Sequence, residues 1–368
     1  MVSAAFILVT GALFAFYAFK EGCSDTCDFV LSAFFLYNLL SGIWCIIFGV
    51  PLSVYAGELL LSVFPMLFYF AGRSDESSKL FSLTFLISVG ITGLIGIVLF
   101  ITGPKLYIDH LMRLQLISKA DIATMRVRMH SVIGSTLMGF LPSAGMLVSV
   151  RLFMDLEKEK KKYAVASFLL MLFLAFMSNQ RSAMAAAVLI LIYLNILAFL
   201  SFRLYPVKYL GLECLTIAAG AAGLFLFFRG AFMKVYYRLI SLPGSIAQRS
   251  DQWVGAANNM KSIWLGNGLG ANGHRAIGYT EHLIADGGLA KLYVECGIVG
   301  TSIFVFLILL VLKRGFSDLK KTAPETGIVL ITILTSIGSN MMSFALSVPV
   351  FYYYMGSLVK KAAGREEP

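Results

Sequence analysis

Hydrophobic runs long enough to cross a lipid bilayer recur along the whole chain, and they constrain its fold more than any other feature. A helix needs about 20 apolar residues to span the hydrocarbon core, whereas membrane strands are shorter and alternate in polarity. Hydrophobic residues make up 58% of the 368 residues, and charged residues only 14%. A water-soluble domain could not bury so much apolar surface. The sequence therefore predicts an all-α polytopic membrane protein, with residues 1–368 in a single membrane-embedded domain.

Comparing each run with the length of a spanning helix predicts about 11 transmembrane helices, within a range of about 10 to 12. The range reflects the last two runs, which are short and share a predicted hinge around residues 338–340. Residues 229–288 form the longest polar interruption and are predicted to be a large loop outside the membrane. The predicted spans are 3–19, 29–49, 51–71, 80–102, 132–152, 163–178, 183–202, 209–228, 289–312, 327–341 and 343–359.

Short loops rich in lysine and arginine predict the orientation, because such loops stay in the cytoplasm. The strongest signals are DLEKEKKKY (155–163), KRGFSDLKK (313–321) and the tail VKKAAGREEP (359–368). Alternation from these segments puts the 229–288 loop and the Gln180–Arg181 turn on the outer face, together with the N-terminus. The inverted orientation is the alternative, since the outer loops also carry many cations.

Arginines in the outer segments are the first candidate site residues. The net charge of +10 would suggest nucleic acid as the partner of a soluble protein. In a membrane protein, lipid headgroups and anionic substrates explain it better, so no nucleic acid is expected. The planar guanidinium matches phosphate oxygens and keeps its charge in poorly solvated surroundings. Arg181, in SNQRSAM, is predicted to be functional, although snorkelling to the interface would also explain it. The further candidates are Arg249, Arg128 and Arg275.

Glycines and two titratable residues complete the candidate site. Gly266, Gly268 and Gly270 would let the backbone approach a ligand, and they lack the strand and helix context of a nucleotide-binding motif. His282 and Asp286 are four residues apart, so a helical turn would put both on one face. A helix cap is the alternative role for Asp286, and an interfacial histidine is the alternative for His282. No residue cluster has metal-ligand spacing, so neither a metal nor a cofactor is expected.

These motifs resemble the O-antigen polymerase and ligase superfamily. The shared pattern is many spans, an arginine at a short outer turn, and a large outer loop with an arginine followed about 15 residues later by G-x-G. The segment DGGLAKLYVECGIVG (286–300) is similar to the D/H-N-x-x-L…E-x-G-I-x-G signature that closes that loop. The resemblance covers roughly residues 125–310. It matches Arg181 to the short-turn arginine and Arg249 to the large-loop arginine.

The resemblance implies glycan transfer at the periplasmic face of the bacterial inner membrane. The donor would be a glycan on undecaprenyl pyrophosphate, and an acceptor hydroxyl would displace the pyrophosphate without a metal. Arg181, Arg249, His282 and Asp286 would be the catalytic residues, and either His282 or Asp286 would be the base. Ligases carry histidine where this chain has Asp286, which favours an O-antigen or related polysaccharide polymerase. A lipid A–core ligase and a lipid-linked oligosaccharide flippase are the alternatives. A chain-length regulator and a flippase of the same pathway are expected partners.

Overall fold

The computed structural model describes residues 25–74, 78–102, 128–129, 131–202 and 242–363, with a few single positions between 215 and 233. These residues form helices and no strands. The predicted span 3–19, almost all of the predicted span 209–228 and most of residues 104–131, between two predicted spans, lie outside the described residues. The helices are α1 (Thr26–Ile47), α2 (Leu52–Ser74), α3 (Lys79–Thr102), α4 (Ser135–Asp155), α5 (Lys161–Met177), α6 (Arg181–Phe202), α7 (Leu242–Asn258), α8 (Gly288–Ser317), α9 (Leu319–Gly338) and α10 (Ser347–Ala363).

Six of these helices are long and apolar enough to cross a membrane: α1, α2, α3, α4, α6 and α8. This confirms the predicted class of all-α membrane protein. The total of about 11 spans stays a prediction, because only part of the chain is described. The predicted break near residues 338–340 is also confirmed. There α9 ends at Gly338, a short 3-10 turn follows, and α10 begins at Ser347.

Helix α10 lies between two hydrophobic cores and contributes to both. Tyr353 and Tyr354 pack with side chains of α3, α4, α5, α6 and α9, whereas Phe351 and Met355 pack with those of α1, α2 and α8. Gly356 lets α10 approach α2 so closely that an added Cβ would collide with the Tyr69 carbonyl. A helix buried on all sides is apolar all round, which explains why α10 reads as a membrane segment despite its modest length.

The helix ends predicted to be cytoplasmic lie together at one end of the bundle. They are joined by ion pairs and by bonds from lysine to backbone, among them Lys360 Nζ to the Ser74 carbonyl at 3.1 Å. The Arg151 guanidinium likewise donates to the Lys321 carbonyl at 3.2 Å. The ion pairs here include Arg73–Asp28, Arg314–Asp25, Arg151–Asp155 and Lys361–Glu325. The turn before Arg181, the end of α9 and the start of α8 therefore lie at the opposite end.

Helix α8 is broken at Gly297, where φ is 61° and ψ is −167°. The glycine-rich loop, residues 259–287, supplies hydrogen-bond partners to the backbone at the break. The Asn267 and Gly268 amides donate to the Val294 and Glu295 carbonyls at 2.8 and 3.0 Å. On the other side of the break, the Ile298 and Val299 amides donate to the carbonyls of Ile263 and Trp264. A buried helix break needs such partners, because unsatisfied backbone groups are costly away from water. The loop is therefore fixed to the start of α8.

Candidate functional site

Arg128, Arg181, Arg249 and Asp286 line one cavity of about 360 Å³ at the end of the bundle opposite the ion-paired helix ends. They come from four separate parts of the chain: the segment before α4, the start of α6, the middle of α7 and the residues just before α8. Among the described lining residues, arginines therefore outnumber carboxylates by three to one. The cavity thus brings together three of the four predicted catalytic residues, Arg181, Arg249 and Asp286, with the predicted binding residue Arg128. The cavity suits an anion.

An ion pair holds two of these residues. Arg249 Nη2 donates to Asp286 Oδ2 at 2.7 Å, and the two side chains are 30% and 44% exposed, so both remain within reach of a ligand. Trp253 Nε1 donates to the Asp286 carbonyl at 2.7 Å and fixes the backbone beside the carboxylate. Asp286 therefore joins α7 to the start of α8.

Arg128 experiences the charges of the whole group. Burial lowers the pKa of its guanidinium, the positive charges of Arg181 and Arg249 lower it further, and the Asp286 carboxylate opposes these effects. Arginine stays protonated even after such a shift, because its ordinary pKa is far above neutrality. The four groups interact through space, and an anion between the arginines would relieve their mutual repulsion.

The turn that presents Arg181 is built by its neighbours. Asn179 adopts a positive φ of 51°, which ends α5 and reverses the chain. The Gln180 side chain then donates to the Ser135 carbonyl at the start of α4. Arg181 consequently occupies the first position of α6. Backbone amides at a helix start are a favourable environment for an anion, so the helix reinforces the arginine.

An apolar cavity of about 200 Å³ continues from the arginine cavity between α6 and α9. The two share Leu189, Ile331 and Leu334 in their linings. Farther from the arginines, the lining includes Tyr193 and Ile196 of α6. From Arg181 to Ile196 the helix rises about 22 Å, most of the thickness of a bilayer core. The arginine cavity therefore adjoins an apolar cavity between α6 and α9.

His282 lies elsewhere. It lines a second cavity of about 370 Å³, between the glycine-rich loop and the turn that joins α1 to α2. The predicted helical turn from His282 to Asp286 is wrong, because α8 begins only at Gly288 and the preceding residues are irregular. Tertiary bonds hold this segment instead: Asn272 Nδ2 donates to the His282 carbonyl at 2.8 Å, and the Ile284 side chain is fully buried. The segment separates the two cavities.

The three predicted ligand-binding glycines approach other parts of the protein. Gly266, Gly268 and Gly270 have positive φ values of 77°, 95° and 83°. An added Cβ at Gly266 would meet the Glu295 carbonyl, and one at Gly268 would meet the Cys45 side chain. These glycines do not line the arginine cavity among the described contacts, and neither does Arg275, whose guanidinium lies against Gly57.

A buried charge cluster was missed from the sequence. Lys291 Nζ lies 2.5 Å from Glu58 Oε1 and 3.7 Å from Glu295 Oε2, and all three side chains are at most 5% exposed. Lys291 also donates to Ser343 Oγ at 2.8 Å. Glu295 accepts the Asn272 amide at 3.1 Å and so anchors the glycine-rich loop. The available signal was Glu58, a carboxylate inside an otherwise apolar predicted span, where charges are rare and usually paired.

The site therefore consists of an arginine cavity with an apolar extension, a neighbouring cavity at His282, and a loop fixed by buried charges. No protein-family model and no curated protein matches this chain.

Proposed function

We propose that this protein is a polysaccharide polymerase of the outer face of a bacterial inner membrane. It transfers a growing glycan from undecaprenyl pyrophosphate to the sugar of a lipid-linked repeat unit, and the product is an O-antigen or a related surface polysaccharide. The enzyme needs neither a metal nor another cofactor. Arg128, Arg181 and Arg249 hold the pyrophosphate.

The observation that carries this proposal is that the arginine cavity adjoins the apolar cavity between α6 and α9. Lys and Arg patches on loops bind many anions, but few of those anions also carry a long hydrocarbon chain. A polyprenyl pyrophosphate has a multiply charged head that matches guanidinium forks. The part of its chain next to the pyrophosphate would pack against the apolar cavity between α6 and α9. The resemblance of residues 286–300 to the superfamily signature points to the same donor.

In the proposed reaction, an acceptor hydroxyl oxygen attacks the anomeric carbon of the donor glycan. The bond from that carbon to the pyrophosphate oxygen breaks, and its electron pair stays on the oxygen. Negative charge therefore grows where the arginines lie, and fixed cations stabilise such a transition state without reorganisation. Overall, the hydroxyl proton ends on the released undecaprenyl pyrophosphate. Asp286 keeps Arg249 in place through their ion pair.

Elongation of a defined lipid-linked repeat unit by the purified protein, with a chelator and without nucleotide, is the direct test. We expect a ladder of products from the wild type. Arg181→Ala and Arg249→Ala should each slow elongation by about 100-fold or more, as is typical when one group that stabilises a developing anion is lost. Lys160→Met is the matched control, since Lys160 is exposed at the opposite end of the bundle. Full-length polymer from both arginine variants would refute the assignment.

Two alternatives have distinct signatures. A lipid A–core ligase would use the same donor, and a deletion strain separates the two: single repeat units still capped onto core indicate a polymerase. A transporter of lipid-linked oligosaccharide is favoured by one observation, the break in α8 beside the buried Lys291 cluster, because transporters often place charged residues at broken helices. A transporter would leave the purified protein without any ladder.

A further inference from the structure

The cavity at His282 differs in chemistry from the arginine cavity. Its polar lining combines amides, a carboxylate, a lysine, an imidazole and a phenol, so that donors and acceptors are mixed and the charges of Lys261 and Glu281 offset each other. Phe48, Val50 and Val54 add an apolar side. Its volume of about 370 Å³ lies in the range of small-molecule sites. Such a lining suits an uncharged ligand with many hydroxyl groups, which both donate and accept hydrogen bonds.

The floor of this cavity is rigid. Asn267 Oδ1 accepts the Lys261 amide at 2.7 Å, and Asn267 Nδ2 donates to Asn272 Oδ1 at 2.8 Å. Asn272 in turn donates to the His282 carbonyl, and its amide donates to the buried Glu295. Both asparagine side chains are buried and engaged, so they hold the shape of the cavity. A fixed shape lowers the entropy lost on binding.

The rim, in contrast, presents polar groups that the protein itself leaves unused. Across the described part of the chain, the side chains of Lys261, Tyr279, Glu281 and His282 make no hydrogen bond or ion pair. Tyr279 is 64% exposed, which is unusual for a large aromatic ring on an ordered loop. A tyrosine offers an apolar face and a hydroxyl together, which is the combination that packs on and bonds to a sugar ring.

The two cavities lie on either side of the five-residue segment His282–Asp286. Four peptide units span at most about 14 Å, so a ligand of a few sugar units can bridge them. The segment is held in place: the Ile284 amide donates to the Asn272 carbonyl at 2.8 Å, and Asn340 Nδ2 donates to the Ala285 carbonyl at 2.8 Å. The distance between the cavities is therefore fixed.

We infer that the cavity at His282 is a saccharide-binding subsite that holds uncharged sugar residues of the lipid-linked glycan while the arginine cavity holds pyrophosphate. This inference rests on the proposed function, because it assumes that the anion and the sugars belong to one substrate class. It assigns Tyr279 and Glu281 as sugar-contacting residues. It also gives His282 a place beside the sugar rather than beside the pyrophosphate.

Two binding measurements on the full-length protein test the subsite. The first probe is the repeat-unit oligosaccharide released by mild acid from the host's own lipid carrier, which lacks pyrophosphate. The second is undecaprenyl pyrophosphate without sugar. We expect Tyr279→Ala and Glu281→Gln each to weaken oligosaccharide binding by about tenfold, about 1.4 kcal/mol, and to leave binding of the bare lipid unchanged. Arg181→Ala should weaken binding of the bare lipid and leave oligosaccharide binding unchanged.

Ile277→Ala is the matched control, since Ile277 is 64% exposed in the same loop and does not line the cavity. Unchanged oligosaccharide binding in both rim variants, or none in the wild type, would overturn the subsite. The proposed function fails separately, if the wild type binds no undecaprenyl pyrophosphate and makes no ladder. If the wild type elongates the glycan but both rim variants bind oligosaccharide as the wild type does, the subsite is refuted and the polymerase assignment stands.

Discussion

At the scale of single residues, Asp286 is the position whose role the structure changes most. The sequence made it a candidate base, but its carboxylate binds Arg249 at 2.7 Å, and its carbonyl accepts the Trp253 indole. A carboxylate engaged in this way orients a cation. It is therefore better described as a positioning residue.

Asp286→Asn tests that role. The asparagine oxygen still accepts a hydrogen bond from Arg249, so we expect elongation to fall by only about 5- to 30-fold, the equivalent of about 1–2 kcal/mol for a weakened charged hydrogen bond. The dependence of the elongation rate on pH should keep its shape. A far larger fall in rate, with a residual rate that no longer rises with pH, would instead identify Asp286 as the base.

Lys291 is the second residue with a specific consequence. Lys291→Met leaves Glu58 and Glu295 buried without their cation, and breaking such a pair costs about 3–5 kcal/mol. We expect a clearly lower Tm in detergent, and partial recovery when Glu58→Gln removes one of the two carboxylates. Lys261→Met, at an exposed position, is the control for stability. An unchanged Tm for Lys291→Met would mean that the cluster does not stabilise the fold.

At the scale of elements, the break in α8 positions the site. The loop before α8 supplies backbone donors and acceptors to the break, and the same loop carries both the floor of the His282 cavity and the approach to Asp286. The end of α9 adds to this arrangement, because the Ser339 carbonyl accepts the Gly288 amide at 3.0 Å. Break, loop and hinge therefore form one connected unit.

Gly297→Ala should disturb that unit. The backbone of Gly297 occupies a region that is essentially restricted to glycine, and an added Cβ would collide with the Trp264 carbonyl. We expect a loss of more than about 2 kcal/mol, measured as a lower Tm, with faster proteolysis in the 259–287 loop. Gly255→Ala is the control, since its Cβ would meet nothing within 4 Å inside α7. Equal Tm values for both variants would contradict a structural role for the break.

At the scale of the whole molecule, the charged helix ends gather on one side and the arginine cavity lies on the other. The positive-inside rule assigns the first side to the cytoplasm. Alkaline phosphatase, which is active only after export, should be inactive when fused after residue 363 and active when inserted after Ile277. Green fluorescent protein, which fluoresces only in the cytosol, should be fluorescent after residue 363 and dark after Ile277. The reverse result at both positions would establish the inverted orientation and move the site to the cytoplasm.

The apolar helices could be predicted well from the sequence, because they follow from the local requirement that apolar residues face lipid. Helix α7 was not predicted, since it is polar and lies inside the predicted 229–288 loop. The predicted run 29–49 became Thr26–Ile47, and 80–102 became Lys79–Thr102. The site could be predicted only in part. Arg181 stood out as a cation at a short turn between two predicted spans, and Arg249 as a cation in the predicted large loop. Their shared cavity, however, depends on packing between segments far apart in the chain.

The sequence by itself determined the solvent of this protein, its helical class and the segments rich in polar groups, since composition and run length fix those properties. Only the tertiary structure decided which polar groups meet. It brought Arg128, Arg181 and Arg249 to Asp286, paired Lys291 with Glu58, and separated His282 from the arginines. The physical reason is that an irregular loop takes its conformation from the backbone bonds and close contacts that it makes with distant helices, and these are not encoded in any local period.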